Sequence, residues 1–151
     1  MPVFRRAQQS DLEGIQRLEQ QCFTDAWSLQ GLQETLKQSQ AFLMVAEEQG
    51  KVVAYCILYY VLDEGEIARI AVAEEFRRRG IAKELLNRVC QECQNLGVMR
   101  LLLDVREGNA SARAFYEHYG FLVDGKRKGF YTTPTEDAVL MSMDIVSTRN
   151  R

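Results

Sequence analysis

The segment Arg77-Arg78-Arg79-Gly80-Ile81-Ala82-Lys83 brings three guanidinium groups to a glycine and an uncrowded helix start. A helix N-terminus carries N–H groups without intrahelical partners and a partial positive charge, so a turn that aims them outward can hold a pyrophosphate. Gly80 allows close backbone approach, and Ala82 keeps the first helical turn open. The same residues also read as a solvated, charged helix start. The turn lacks the Lys-Ser or Lys-Thr ending of a P-loop, and its glycine spacing is not that of a dinucleotide fingerprint. Neither ATP nor NAD is the expected ligand.

A second group with chemical potential is Asp104, at the end of the apolar run Leu101-Leu102-Leu103-Asp104-Val105-Arg106. A carboxylate there can take a proton from an amine or a water, provided that partial burial raises its proton affinity. A solvated strand end, or an ion pair with Arg106, is the alternative. Tyr116 on its own reads as a packed helix aromatic beside Phe115 and Tyr119. Trp27, the only tryptophan, reads either as a packing anchor between helices or as one wall of a groove. His118 is the only histidine, so no His-based triad or zinc site can be built and no metal is expected. Cys90-x-x-Cys93 has redox or metal spacing, but it lies deep in a helix and lacks a second ligand pair. Both are expected to be core or surface thiols.

The elements that must position these groups follow from periodicity. Val3 to Ala7 predicts a first strand, and Ser10-Asp11-Leu12-Glu13 has the form of a capping box. Leu12, Ile15, Leu18 and Cys22 recur at helical spacing, and a second helix begins at Ser28 with Leu29, Leu32 and Leu36 on one side. Ala41 to Glu48 and Lys51 to Leu62 predict a hairpin turning at Gln49-Gly50. Asp63-Glu64-Gly65 predicts the next turn, with a strand from Glu66 to Ala73 leading into the basic turn.

Ile81, Leu85, Leu86, Val89, Cys93 and Leu96 mark one face of a long helix that Gly97 can end as a left-handed cap. Val98 to Arg106 is the following strand, expected parallel to the one before the helix, with ligands gathering at the strand C-terminal ends. Side-chain alternation puts Asp104 on one face with Leu102 and Arg106. Asn109 caps a helix that Gly120 ends, a strand begins at Phe121, Asp124-Gly125 turns the chain, and Ala138 to Ile145 is the last strand. Between them, Gly129-Phe130-Tyr131-Thr132-Thr133-Pro134 suits an exposed loop or a strand end lining a groove.

The 151 residues allow one domain, 1–151, with one good core. The chain is 46% hydrophobic and 26% charged, as in an ordinary globular protein. A net charge of −2 argues against general nucleic-acid affinity. No apolar run has the length of a membrane span, and Met1 to Arg6 lacks a signal-peptide core. A cytoplasmic protein is expected, binding neither membrane nor nucleic acid directly.

This order of elements, an α/β (α+β) arrangement with a central mixed twisted sheet of seven strands flanked by four helices, resembles the GNAT superfamily of acyl-CoA-dependent N-acetyltransferases. Arg77-x-x-Gly80-x-Ala82 is similar to that family's pyrophosphate turn, and Asn109-x-x-Ala112-x-x-x-Tyr116-x-x-x-Gly120-Phe121 to its second cofactor segment. Ala26-Trp27-Ser28, Val61-Leu62-Asp63-Glu64, Asp104-Val105-Arg106 and Phe130-Tyr131-x-x-x-x-x-Asp137-Ala138 resemble the RimI-type branch, the ribosomal-protein-alanine N-acetyltransferases.

The resemblance implies acetyl-CoA as co-substrate, with direct attack of an amine on the thioester in a ternary complex. It implies Asp104 as general base, where the branch commonly carries glutamate; the shorter side chain favours a bridging water. Glu66 and Glu64 are fallback bases. It also implies Tyr116 as general acid. Main-chain groups of Ile70, Ala71 and Val72 would hold the pantetheine arm, Arg77 to Lys83 the pyrophosphate, and Asn109 the cofactor arm. Trp27, Glu66 and Tyr131 would rim the acceptor groove. The expected acceptor is a protein N-terminal α-amine, such as the alanine of a small-subunit ribosomal protein. The alternatives are a lysine or small-amine acetyltransferase and a non-catalytic acyl-CoA-binding module.

Overall fold

The computed structural model describes residues 2–132 and 134–145. In chain order its elements are β1 (Val3–Arg6), α1 (Leu12–Cys22), α2 (Leu29–Lys37), β2 (Ala41–Glu48), β3 (Lys51–Val61), β4 (Glu64–Val72), α3 (Ile81–Asn95), β5 (Arg100–Arg106), α4 (Ala110–Tyr119), β6 (Leu122–Thr132) and β7 (Thr135–Asp144). The strands form one sheet in the order β1-β2-β3-β4-β5-β7-β6, mixed because β4 and β5 run parallel.

β2 and β3 are apolar at nearly every position because helices cover both faces of the sheet. Phe42, Met44, Ala46, Cys56 and Leu58 pack in one cluster with Leu85, Leu86, Val89 and Cys93 of α3. The alternate residues Leu43, Val45, Tyr55 and Ile57 join Leu12, Ile15 and Leu18 of α1 and Leu32 of α2 in a second. Each fully buried side chain of this size contributes about 1.5–3 kcal/mol. These clusters, rather than helix propensity, hold α1 and α3 in place.

Gln49 (φ 52) and Gly50 (φ 78) make the tight hairpin between β2 and β3. The next turn differs from the expectation of Asp63-Glu64-Gly65. It is Leu62-Asp63, with Leu62 at φ 55 and Val61 paired to Glu64. Glu64 also pairs with Arg100, so two neighbours extend β4 by two residues. The Ser10-to-Glu13 capping box does not form. The Gln8 N–H donates to Asp11 Oδ2 at 2.7 Å, and the Arg5 fork takes the same carboxylate at 2.7 and 2.9 Å, which holds Asp11 below its ordinary pKa. α2 does start behind Ser28, whose hydroxyl accepts from the Gly31 N–H at 3.0 Å.

Asp124-Gly125 is a bulge inside a continuous β6 rather than a turn, since β6 stays paired with β7 on either side of it. The Phe130-Tyr131-Thr132 segment is strand; Thr133 and Met1 lie outside the described residues. α3 ends as expected: Gly97 is left-handed at φ 81, the Val98 N–H reaches the Cys93 carbonyl at 2.8 Å, and the Gly97 N–H reaches Gln94 at 3.2 Å. Cys56, Cys90 and Cys93 are buried, with the Cys56 and Cys93 thiols pushed up chiefly by desolvation, Cys93 to about 12. They are core side chains rather than nucleophiles. Among the described residues no helix is long and apolar enough to cross a membrane.

Candidate active site

The parallel pairing of β4 with β5 covers only Glu64 to Glu66 against Arg100 to Leu102. Beyond that register the two strands part, and among the described residues β4 keeps β3 as its only strand partner through Val72. The Ala73 N–H donates to the Val53 carbonyl at 2.8 Å, so alternation turns the main-chain groups of Ala71 toward Tyr55 of β3 and those of Ile70 and Val72 toward the gap. Of the three residues expected to hold the pantetheine arm, Ala71 is therefore the exception. Its neighbours present oriented groups at an open strand edge, suited to an extended amide chain.

A cleft of about 540 Å³ opens at this gap. Its walls include Glu66 and Ile70 of β4, Asp104 and Arg106 of β5, Asn109, Ala112 and Tyr116 around α4, Phe130 and Tyr131 of β6, and Cys22 to Asp25 with Trp27 from the α1–α2 connection. The structure thus brings Asp104, Tyr116, Asn109, Trp27, Glu66 and Tyr131 to one cavity. The α4 start is set by Asn109, whose Oδ1 accepts from the Ala112 N–H at 3.2 Å.

Tyr116 is buried between Phe115 and Phe121, with ring centroids at 5.5 and 5.6 Å. Desolvation, followed by repulsion from Cys56 and Tyr131, pushes its phenol well above the ordinary range. It stays protonated at any physiological pH, as a proton donor must. Asp104 is exposed to the cleft, so the partial burial set as a condition for raising its proton affinity is not met. Arg106 bonds Glu136 at 3.2 Å and lies 4.4 Å from the Tyr131 ring centre. The carboxylate whose proton affinity is raised is Glu66, by desolvation first and then by the nearby Asp104 charge, with Arg127 opposing. Tyr131 is pushed up to about 12, again by desolvation first and Asp104 second.

The basic turn lies outside the cleft lining, at the far end of β4. Arg77, Arg78, Arg79 and Lys83 are exposed, whereas the Ile81 side chain is buried, so Ile81 can offer only its N–H. Arg77 is partly committed: its Nε donates to the Val72 carbonyl at 3.0 Å, which joins the turn to the β4 edge. Arg78 (φ 64) and Gly80 (φ 79) are both left-handed, and α3 has no side-chain cap. The N–H groups of Ile81, Ala82 and Lys83 therefore face outward without intrahelical partners. An arginine held at positive φ is the kind of strain that persists where a loop serves a ligand.

Gly80→Ala should meet no steric contact, since nothing lies within 4 Å of the added Cβ. Its cost is backbone strain of about 1–2 kcal/mol. Relief of that strain by a shift of the helix start should weaken binding of acetyl-CoA, the co-substrate that the sequence resemblance implies, about tenfold by calorimetry. Unchanged affinity would remove the turn from the site.

Sequence reasoning missed the polar group that supports the cleft wall. Glu19 of α1 is fully buried, takes the Trp27 N–H at 2.8 Å and the Tyr55 hydroxyl, and pairs with Arg69 Nε of β4 at 3.2 Å. A signal existed: Glu19 follows Ile15 by one helical turn and so points inward, and Arg69 interrupts an otherwise apolar stretch of strand.

A strand gap faced by main-chain groups, a helix start without a side-chain cap behind a basic turn, and a protonated phenol in a cleft are the parts that the resemblance to acyl-CoA-dependent N-acetyltransferases implies. Residues 12–121 match the acetyltransferase (GNAT) family, and the chain belongs to that family. It is an acetyl-CoA-dependent N-acetyltransferase.

Among its relatives is the ribosomal protein bS18-alanine N-acetyltransferase of Escherichia coli (strain K12), 33% identical over 139 residues, with 90% of this chain and 93% of the relative covered. The enzyme of the same name from Haemophilus influenzae is 32% identical over 146 residues, with 94% and 98% covered. The crystal structure of the Escherichia coli ribosomal-protein-S18-alanine N-acetyltransferase superposes with a TM-score of 0.88 at 30% identity, covering 100% of this chain and 99% of that one. Ard1 from Thermoplasma volcanium shares the fold, with a TM-score of 0.89 at 24% identity over 97% of this chain and 99% of that one.

Proposed function

We propose that this enzyme acetylates the N-terminal α-amine of a protein, with the alanine of the small-subunit ribosomal protein bS18 as the first candidate. The observation that carries the reading is the convergence of Tyr116, Asp104 and Glu66 on the gap between β4 and β5, which the main-chain groups of Ile70 and the N–H of Val72 face. The named acceptor rests on the relatives above.

In this reading the acetyl-CoA pyrophosphate rests on the N–H groups that open α3, and the pantetheine arm pairs with the free edge of β4. Asn109 meets the same arm. Trp27, Glu66 and Tyr131 guide the acceptor. The amine must be neutral to attack; an α-amine, with a reference pKa of about 7.7–8.0 against about 10.4 for lysine, reaches that state more easily. Its nitrogen bonds to the thioester carbon, the C–S bond breaks, and the amine proton passes to Asp104, directly or through a water, with Glu66 as the second acceptor. Tyr116 gives its proton to the departing sulfur. Desolvation that raises the phenol raises the thiolate as well, so the transfer is not set against solution values. Acetylation of a ribosomal protein would place the reaction in the cytoplasm.

The test is a peptide panel incubated with enzyme and acetyl-CoA and read by fragment mass spectrometry. It includes Ala-starting peptides and N-blocked, lysine-containing partners. Acetyl on the α-amine alone is the expected result. Acetyl only on lysine, or none despite acetyl-CoA binding, would overturn the reading.

A further inference from the structure

One guanidinium holds most of the acceptor-side wall. The Arg69 side chain is 12% exposed; its Nε pairs with the buried Glu19 carboxylate, and its Nη2 donates to the Asp25 carbonyl at 2.7 Å and to Asp25 Oδ1 at 3.0 Å. Its charge lies 3.9 Å from the Phe23 ring centre and 5.8 Å from that of Trp27. Glu19 in turn takes the Trp27 N–H. The α1–α2 connection is thus tied to β4 through Arg69, and that connection lines the same cleft as Asp104 and Tyr131. Only a planar fork can reach Glu19 and Asp25 together while stacking on Phe23.

We infer that Arg69 is a positioning residue for the acceptor: through Glu19 and Asp25 it sets the α1–α2 wall and hence the seat of the amine-bearing chain. The acetyl-CoA contacts, made by the α3 start and by main chain at Ile70 and Val72, do not run through it. This inference rests on the proposed acceptor cleft.

Two variants test it. Arg69→Lys keeps the charge beside Glu19 but loses the fork that spans to Asp25. The double variant Glu19→Gln with Arg69→Met removes both charges together, so no unpaired buried ion is left to unfold the protein. In each, the acceptor KM should rise about tenfold while the acetyl-CoA KM holds. Acrylamide quenching of Trp27, the only tryptophan, should increase as its loop loosens. If Arg69→Lys does not fold, the double variant decides alone. An acceptor KM within about twofold of wild type, or an equal rise in both KM values, would overturn the inference. The acceptor used is whichever peptide the wild type acetylates. Modification of lysine alone would refute the α-amine proposal, yet the same KM split on that peptide still decides the role of Arg69.

Discussion

Tyr116→Phe is expected to lower kcat by about 10²- to 10⁴-fold, the range for loss of a positioned acid or base. The ring remains, and with it the edge contacts to Phe115 and Phe121 that seat α4. Only a hydroxyl is removed, from a residue that lines the cleft and not the α3 turn. Acetyl-CoA affinity should therefore change by less than about threefold, and the melting temperature should hold, because the substitution adds no cavity. Single-turnover kinetics with a calorimetric titration of acetyl-CoA separates the two effects. Equal losses of turnover and affinity would remove Tyr116 from the acid role and leave it as packing. The raised phenol pKa adds a second expectation: the basic limb of the wild-type pH profile should not arise from Tyr116 below about pH 10, the ordinary phenol range.

Asp104→Asn is expected to lower kcat by about 10²-fold and to erase the acidic limb of its pH profile. The profile should be taken on kcat with both substrates saturating, where ionisation of the free amine does not enter. A base must be deprotonated to act, so activity rises with pH through its pKa. Glu66 complicates the limb in a useful way, because the Asp104 charge helps hold Glu66 above the ordinary carboxylate value. If Asp104 is the base, Glu66→Gln keeps a limb while Asp104→Asn loses it. If Glu66 is the base, Asp104→Asn keeps the limb but moves it to lower pH, since the neighbouring negative charge is gone. An unchanged profile in Asp104→Asn would exclude Asp104 from proton transfer.

Much of the scaffold was legible because its signals are local. The apolar face of α3 and its Gly97 cap, the Ser28 and Asn109 caps, and the Gln49-Gly50 hairpin are each written in adjacent residues. Side-chain alternation alone placed Asp104 on the face opposite Leu101, Leu103 and Val105, which are buried. The helix start behind the basic turn was legible from Gly80 and the apolar period that follows it.

Other features could be decided only by tertiary structure, for a common reason: they depend on partners far along the chain. The gap between β4 and β5 comes from pairing that stops after Glu66, and the register with β3 determines that Ile70 and Val72, but not Ala71, face it. Asp124-Gly125 looks like a turn until β7 pairs on both sides of it and makes it a bulge. Glu19 and Arg69 stand 50 residues apart, and neither identity nor spacing shows that one neutralises the other. Local sequence determined which elements form and which faces are apolar; long-range packing, by choosing registers and burying charges in pairs, decided where the site opens and what holds its wall.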